Sequence, residues 1–248
     1  MHRVFIEPAL SAHELIELSE REGHHLVRVL RAREGERVEG LDGAGHRLDA
    51  IVHSISKRSV ILRVEQRQIV PELTAHITLF QAIPKGKNME WIIEKATELG
   101  ARRIVPLLTD RTMMRPDASD RRQKVEKWTA TAIDAIKQCG SPWLPRIEAP
   151  LSFVAALPEA GSADLSLLGT FASDARHPRS VIEEFTKTQG RPPLSFGVWI
   201  GPEGDFTEPE LASIRATGAQ PITLGPLVLR AETAALYALS VLNYETQA

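Results

Sequence analysis

The 248 residues, 43% hydrophobic and 25% charged, have the ordinary balance of a globular chain that builds its core without a staple, in one large domain or two modest ones. The single cysteine, Cys139, excludes an intramolecular disulfide, no stretch reaches the roughly 18 apolar residues of a membrane span, and the opening MHRVFIEPAL lacks the apolar run of a signal peptide, so the cytoplasm is the expected compartment. A formal net charge of -2 argues mildly against a nucleic-acid partner, although phosphate binding answers to local charge and not to the total.

In chain order, Arg3–Ile6 reads as a first strand and His24–Leu30 as a short helix. Glu36–Leu41, His46–Ile55 and Ser59–Gln66 follow as strands with β-branched residues and near period-two patterning. Asp42-Gly43-Ala44-Gly45 supplies turn chemistry between two of them. Such a set of short strands predicts a small barrel, with Ile69-Val70-Pro71 as its exit. From residue 75 the rhythm changes. His76–Ala82 reads as a buried strand, Asn88–Leu99 as a helix stopped by Gly100, Ile104–Leu108 as a strand and Arg121–Cys139 as a long helix. A strand near Arg146–Glu148 and short apolar runs at Ala163–Leu168, Phe196–Ile200 and Pro221–Leu224, separated by helices, complete the pattern. This alternation predicts a mostly parallel sheet, and the change of rhythm divides the chain into residues 1–72 and 73–248.

Two segments carry chemistry. Phe196–Thr207 is a strand that ends abruptly in a glycine loop, followed by a helix start with Thr207 and Glu210 spaced as a capping box. Leu224–Ala234 repeats the arrangement: a strand end at Gly225, an apolar loop, then a helix with Arg230, Glu232 and Thr233 near its start. Ligands of α/β folds bind at the carboxyl ends of strands, where glycine lets backbone amides approach closely. Each segment alone reads equally as a tight turn or as a surface pair capping a helix. The Pro84–Asn88 loop lacks the spacing of a phosphate loop, and His24-His25 has no partner at ligand spacing, so nucleotide hydrolysis and a metal are not expected. Basic residues gather at Arg28, Arg31 and Arg33, and again at Arg111, Arg115, Arg121, Arg122, Lys124 and Lys127. Each cluster reads as a solvated face or as an RNA surface.

Together the two segments, IGPEGDF and LGPLVLRAETA, resemble the IGPEGG and LG-x-x-ILRTETA motifs of the bacterial 16S ribosomal RNA uracil-N3 methyltransferases of the SPOUT superfamily. Weaker similarities occur in the same order at His24–Arg31, at Lys87 with Met89–Gly100, and at Gln138–Pro145. The resemblance implies a PUA-like RNA-binding β-barrel over 1–72, then a SPOUT α/β domain over 73–248 with a C-terminal trefoil knot. It implies S-adenosylmethionine as cofactor, bent among the knot loops, and a homodimer paired through that region. The implied cofactor contacts are Leu168, Gly169, Ile200, Gly201, Pro202, Glu203, Gly204, Leu224, Gly225, Leu227 and Leu229. The implied substrate is N3 of a specific uridine in small-subunit ribosomal RNA, met in assembled 30S particles.

N3 of uracil is a poor nucleophile until its proton leaves, so the reaction needs a proton acceptor and a cation for charge building on the ring oxygens. Arg230 is the candidate cation. Glu232 and Glu203 are candidate bases, and either could instead hold a loop through backbone hydrogen bonds. Arg3, Arg28 and Arg31 in the first domain, and Lys85, Lys87 and Arg111 in the second, are the candidate RNA contacts. The sequence departs from the family pattern at Asp205 (usually Gly), Ala231 (commonly Thr) and Ser141 (frequently Arg). Two other functions stay open: an RNA-binding assembly factor with an inactive fold, and a methyltransferase acting on a different RNA atom.

Overall fold

The computed structural model describes residues 1–113 and 117–246, so Arg115 of the second basic cluster lies outside the described residues. Packing divides the chain into two compact units, Met1–Glu72 with Ala132–Leu144, and Leu73–Thr131 with Pro145–Ala248.

The first unit contains β1 (His2–Phe5), β2 (Leu15–Glu17), α1 (Glu20–His24), β3 (Arg37–Leu41), β4 (His46–Ile55) and β5 (Val60–Ile69). The strands form one sheet in the order β1-β3-β4-β5-β2, with β1 parallel to β3 and the other pairs antiparallel. Period-two patterning sets its faces: Leu48, Ala50 and Val52 of β4 point into a core with Val4, Ile16, Val38 and Leu62, while Asp49 and His53 point out. The helix expected at 24–30 begins earlier, because Ser19 caps it by accepting the Glu22 amide at 3.3 Å, and it runs on as a π turn over His25–Val29.

Residues 132–144 join this unit, where the sequence pattern ends it at 72. The reason is a set of long-range polar contacts that local patterning cannot reveal. Glu22, only 3% exposed, accepts Lys137 Nζ at 2.8 Å and the Phe5 amide at 3.0 Å. Trp143 Nε1 donates to the Val70 carbonyl at 3.0 Å, and the Leu144 amide donates to the Gly43 carbonyl at 2.9 Å.

The second unit follows with β6 (His76–Ala82), α2 (Asn88–Glu98), β7 (Ala101–Leu108), the part of α3 (Ala118–Cys139) up to Thr131, β8 (Arg146–Ile147), β9 (Leu151–Ser152), α4 (Phe153–Ala160), β10 (Leu165–Gly169), α5 (Pro178–Gln189), β11 (Ser195–Ile200), α6 (Glu208–Ala216), β12 (Gln220–Ile222) and α7 (Ala231–Thr246). The sheet runs β12-β10-β11-β6-β7-β8 with β9 beside β7, and every pairing is parallel. Among the core residues, Trp199 is fully buried and stacks on Phe80 with ring centroids 4.2 Å apart and 6° between planes. Phe153 and Ala156 of α4 and Ile214 of α6 belong to the same core cluster. α2 and α7 pack together, with Asn243 Nδ2 donating to the Leu99 carbonyl at 2.9 Å.

The chain runs outward from β6 through β7 to β9, then returns to build β10, β11 and β12 on the other side. This reversal of strand order is where open α/β sheets bind ligands, at the carboxyl ends of the strands. Leu168 pairs with Trp199 and Gly169 with Ile222, so the ends of β10, β11 and β12 come out side by side.

Candidate functional site

A cavity of about 260 Å³ opens at these three strand ends. Its lining includes Gly169 from the end of β10, Ile200, Gly201, Pro202 and Glu203 from the end of β11, and Leu224, Leu227, Leu229 and Arg230 from the loop between β12 and α7. Thus eight of the eleven expected cofactor contacts share one cavity, together with Arg230. The other three do not line it. Leu168 is turned the other way by strand alternation and is fully buried in the core with Trp199 and Phe80. Gly204 points its carbonyl at Arg111, and Gly225 is the turn residue, at φ +105°.

The sequence did not single out Thr170, Phe171, Val228 or Ala234, which complete the wall with Asp205 and Ala231. Phe171 is an exposed apolar residue just after a strand that ends in glycine, and Val228 is one in the loop that holds Gly225, the signal that would have found them. Ala231, the small residue where threonine is common, is buried at the start of α7. Gly169 has a packing reason for its missing side chain. A Cβ there would lie 3.1 Å from Ile200 Cδ1 and 3.4 Å from Leu224 Cδ1.

The 201–206 loop is held from three directions. The Glu203 carboxylate accepts the Lys85 amide at 2.8 Å, which ties it to the loop after β6. Arg111, from the loop after β7, donates to the carbonyls of Gly204 and Phe206. Glu210, 4% exposed, accepts the amides of Thr207 at 2.8 Å and Asp110 at 2.9 Å, so the expected cap of α6 also anchors the β7 loop. Gly201 has a reason within the loop for its missing side chain: a Cβ would lie 2.7 Å from Asp205 Oδ1 and 3.0 Å from the Phe206 amide.

These contacts revise several expected roles. Arg111 and Glu203 both brace the loop. Glu232, in the first turn of α7, does not line the cavity, and among the described residues no ion pair joins it to Arg230. Arg3 is occupied by the protein itself. Its Nε donates to Glu39 at 2.6 Å, and its Nη1 to the carbonyls of Lys137 at 3.0 Å and Gln138 at 2.8 Å, which fixes the end of α3 rather than presenting a free cation. Ser141 caps a turn, its hydroxyl accepting the Trp143 amide at 3.2 Å.

Lys85 and Lys87 are exposed in the loop before α2, and Arg28 and Arg31 are exposed in the first unit. Arg28 borders a groove also lined by Lys57 and Arg58. Those two were not anticipated, although adjacent cations in a Ser-Lys-Arg-Ser hairpin turn are a legible signal. Among the described residues no group of His, Cys, Asp or Glu is placed to hold a metal ion, and no helix is long and apolar enough to cross a membrane.

Comparison with known proteins places this geometry in context. Residues 71–243 match the RNA methyltransferase domain, and residues 18–65 match the RNA methyltransferase PUA domain. The chain is 33% identical over 243 residues to Ribosomal RNA small subunit methyltransferase E of Synechocystis sp., covering 98% of this chain and 77% of that protein. It is 31% identical over 255 residues to the Bacillus subtilis protein of the same name, covering 100% and 98%. Among solved structures it is similar to a Legionella pneumophila protein in complex with bound SAM, at 32% identity and TM-score 0.88 over 98% of this chain and 97% of the other. It is also similar to Ribosomal RNA small subunit methyltransferase E from Neisseria gonorrhoeae bound to S-adenosyl methionine, at 26% identity and TM-score 0.87 over 99% and 98%.

Proposed function

The chain belongs to the RNA methyltransferase family, and from that premise we propose that it transfers a methyl group from S-adenosylmethionine to N3 of one uridine in 16S ribosomal RNA. The observation that carries this reading is the convergence of both motif loops on one cavity at adjacent parallel strand ends. The residues fit such a donor. Gly169, without a side chain, lets Ile200 and Leu224 close against the strand end, and Leu224, Leu227 and Leu229 offer apolar walls to a nucleoside.

When bound, S-adenosylmethionine supplies an already activated methyl group, so the protein's task is mainly alignment. Arg230, at the cavity edge, stabilises negative charge on the uracil oxygens as N3 loses its proton. Of the two candidate bases, Glu203 is the one that lines the cavity. With Oε1 engaged by the Lys85 amide, its Oε2 is the atom assigned to accept the proton, directly or through water. The test is methylation of small ribosomal subunits lacking the mark by the purified chain with radiolabelled donor. The expected product is 3-methyluridine, identified by mass spectrometry of the nucleosides. Label recovered on ribose or on another base would overturn the reading.

The same reading extends to architecture and partners. Register shifts in the β4–β5 pair at Asp49/Ala50 and Val52/Ser54 bend these strands, which supports closure of the first unit as a barrel. The 224–231 segment borders the same cavity as the loops after β10 and β11, which is the arrangement a trefoil knot there would give. Phe171, Leu227 and Val228 at the cavity rim are 63%, 73% and 82% exposed, and Tyr237 and Tyr244 lie one heptad apart on the exposed side of α7. Their burial in a homodimer is the proposed reason. Light scattering at micromolar concentration should give twice the mass of the chain, and a monomer would count against this assembly.

The RNA contacts of the first unit are assigned to the groove at Arg28, Lys57 and Arg58, whose side chains make no ion pair among the described residues. With a net charge of -2, binding depends on a shaped target that meets several basic patches at once, as an assembled 30S particle in the cytoplasm would. Lys57→Ala and Arg58→Ala should each lower affinity on any RNA. Each should also reduce the slope of log affinity against log salt by about 1, as read by filter binding.

A further inference from the structure

Asp205 plays no part in the mechanism above, yet its backbone is strained. It has φ +62°, one of two non-glycine residues in the left-handed region among the described residues. A position of this kind suits glycine, which pays no steric penalty there. Asp205 is nevertheless held firmly. Arg111 donates to the carbonyls of Gly204 and Phe206 on either side of it. Its Oδ1 accepts the Phe206 amide at 2.7 Å and closes against Gly201, as the short distance to a Cβ built there records. The side chain lines the cavity, and no hydrogen bond or ion pair within the described residues engages Oδ2. Burial pushes the carboxyl above its ordinary pKa, opposed by the Phe206 amide and by the charge of Arg111.

The charges around the cavity give this carboxylate a consequence. Besides Asp205, the lining carries one carboxylate, Glu203, and one cation, Arg230. Those two offset one another, which leaves Asp205 the unmatched carboxylate of the lining; Arg111, outside the lining, weakens its field without pairing with it, since that guanidinium donates to the Gly204 and Phe206 carbonyls. The methyl donor and the spent product, S-adenosylhomocysteine, differ by one methyl group and one formal charge: a sulfonium against a neutral thioether. Apolar walls cannot read that charge. A fixed carboxylate can, because a charge inside the same cavity lies well within a Debye length of about 8–10 Å and is little screened.

We propose that Asp205 discriminates by charge between the methyl donor and its demethylated product, favouring the sulfonium and so easing release of the thioether. The inference rests on the reading of this cavity as the donor site.

Calorimetry on the full chain at pH 8, with S-adenosylmethionine and S-adenosylhomocysteine titrated separately, tests it. Asp205→Asn keeps the shape, tolerates a left-handed backbone and retains an oxygen for the Phe206 amide. Asp205→Gly removes the side chain altogether and relieves the backbone strain. In both variants the preference for donor over product should fall by about 5- to 10-fold, through weaker binding of the sulfonium. A preference unchanged in both variants, with each ligand still binding, would overturn this inference and leave the site assignment standing. Failure of either ligand to bind the unaltered chain would overturn the site assignment itself, and this inference with it.

Discussion

Arg230→Ala is expected to slow methyl transfer by roughly 100- to 1,000-fold at saturating RNA and donor, the loss typical of removing one preorganised charge donor from a developing anion. Arg230 is exposed at the cavity edge, and among the described residues its side chain is not tied to any carboxylate. Truncation therefore removes little from the fold. RNA affinity, spread over many phosphate contacts, should change only a few-fold. Single-turnover transfer from radiolabelled donor to unmarked small subunits, run beside filter binding, separates the two effects. If transfer proceeds at the unaltered rate while the variant binds normally, Arg230 is a structural residue of the loop and the assignment is wrong. Arg230→Lys should recover part of the rate, because it keeps the charge while losing the planar fork.

Trp199→Ala should have the largest effect on stability, about 3–5 kcal/mol. The indole is fully buried between Phe80, stacked at 4.2 Å, and Phe153, which meets it edge-on with centroids 6.5 Å apart. Its Nε1 also donates to Ser166 Oγ at 3.1 Å, so truncation opens a void and strands a buried hydroxyl. A lower urea midpoint for the second unit is the expected readout. Trp199→Phe, which preserves the stack and loses only the hydrogen bond and some volume, should cost less than half as much. Equal losses in the two variants would show that packing against Phe80 is not what holds this layer. The position also bears on function, since Trp199 is followed directly by Ile200 and Gly201 at the cavity.

What the sequence revealed follows from the range of the forces involved. β4 and β6 begin and end where patterning puts them, because alternation in one and a continuous apolar run in the other are local signals. Leu15–Glu17 has only three residues, too few to show a period, and it becomes a strand only by pairing with Leu62 and its neighbours. α4 carries Pro158 inside it, which local propensity counts against a helix.

The motif loops were legible because the two of them together resemble one family's motifs; a glycine at a strand end alone reads equally as a tight turn. Leu168, one residue before the cavity-lining Gly169, faces the core, which its place in the strand opposite Trp199 decides and the sequence does not show. Arg3 and Arg111 read as free cations in the sequence because a sequence does not show partners. One meets carbonyls more than 130 residues away, and the other meets carbonyls more than 90 residues away.

The membership of residues 132–144 in the first unit has a consequence for biosynthesis. The N-terminal sheet emerges from the ribosome before Lys137 exists to neutralise Glu22, and before Trp143 can reach the Val70 carbonyl. Residues 73–144 must be added first, a wait of roughly 4–14 s at about 5–20 residues per second. During that interval a carboxylate destined for burial has no counterion, and the five strands lack the contacts that residues 132–144 bring to them. A nascent chain arrested far enough on to expose residue 72 should therefore remain open to protease, while one arrested far enough on to expose Leu144 should not. The first unit is finished late although it is translated first.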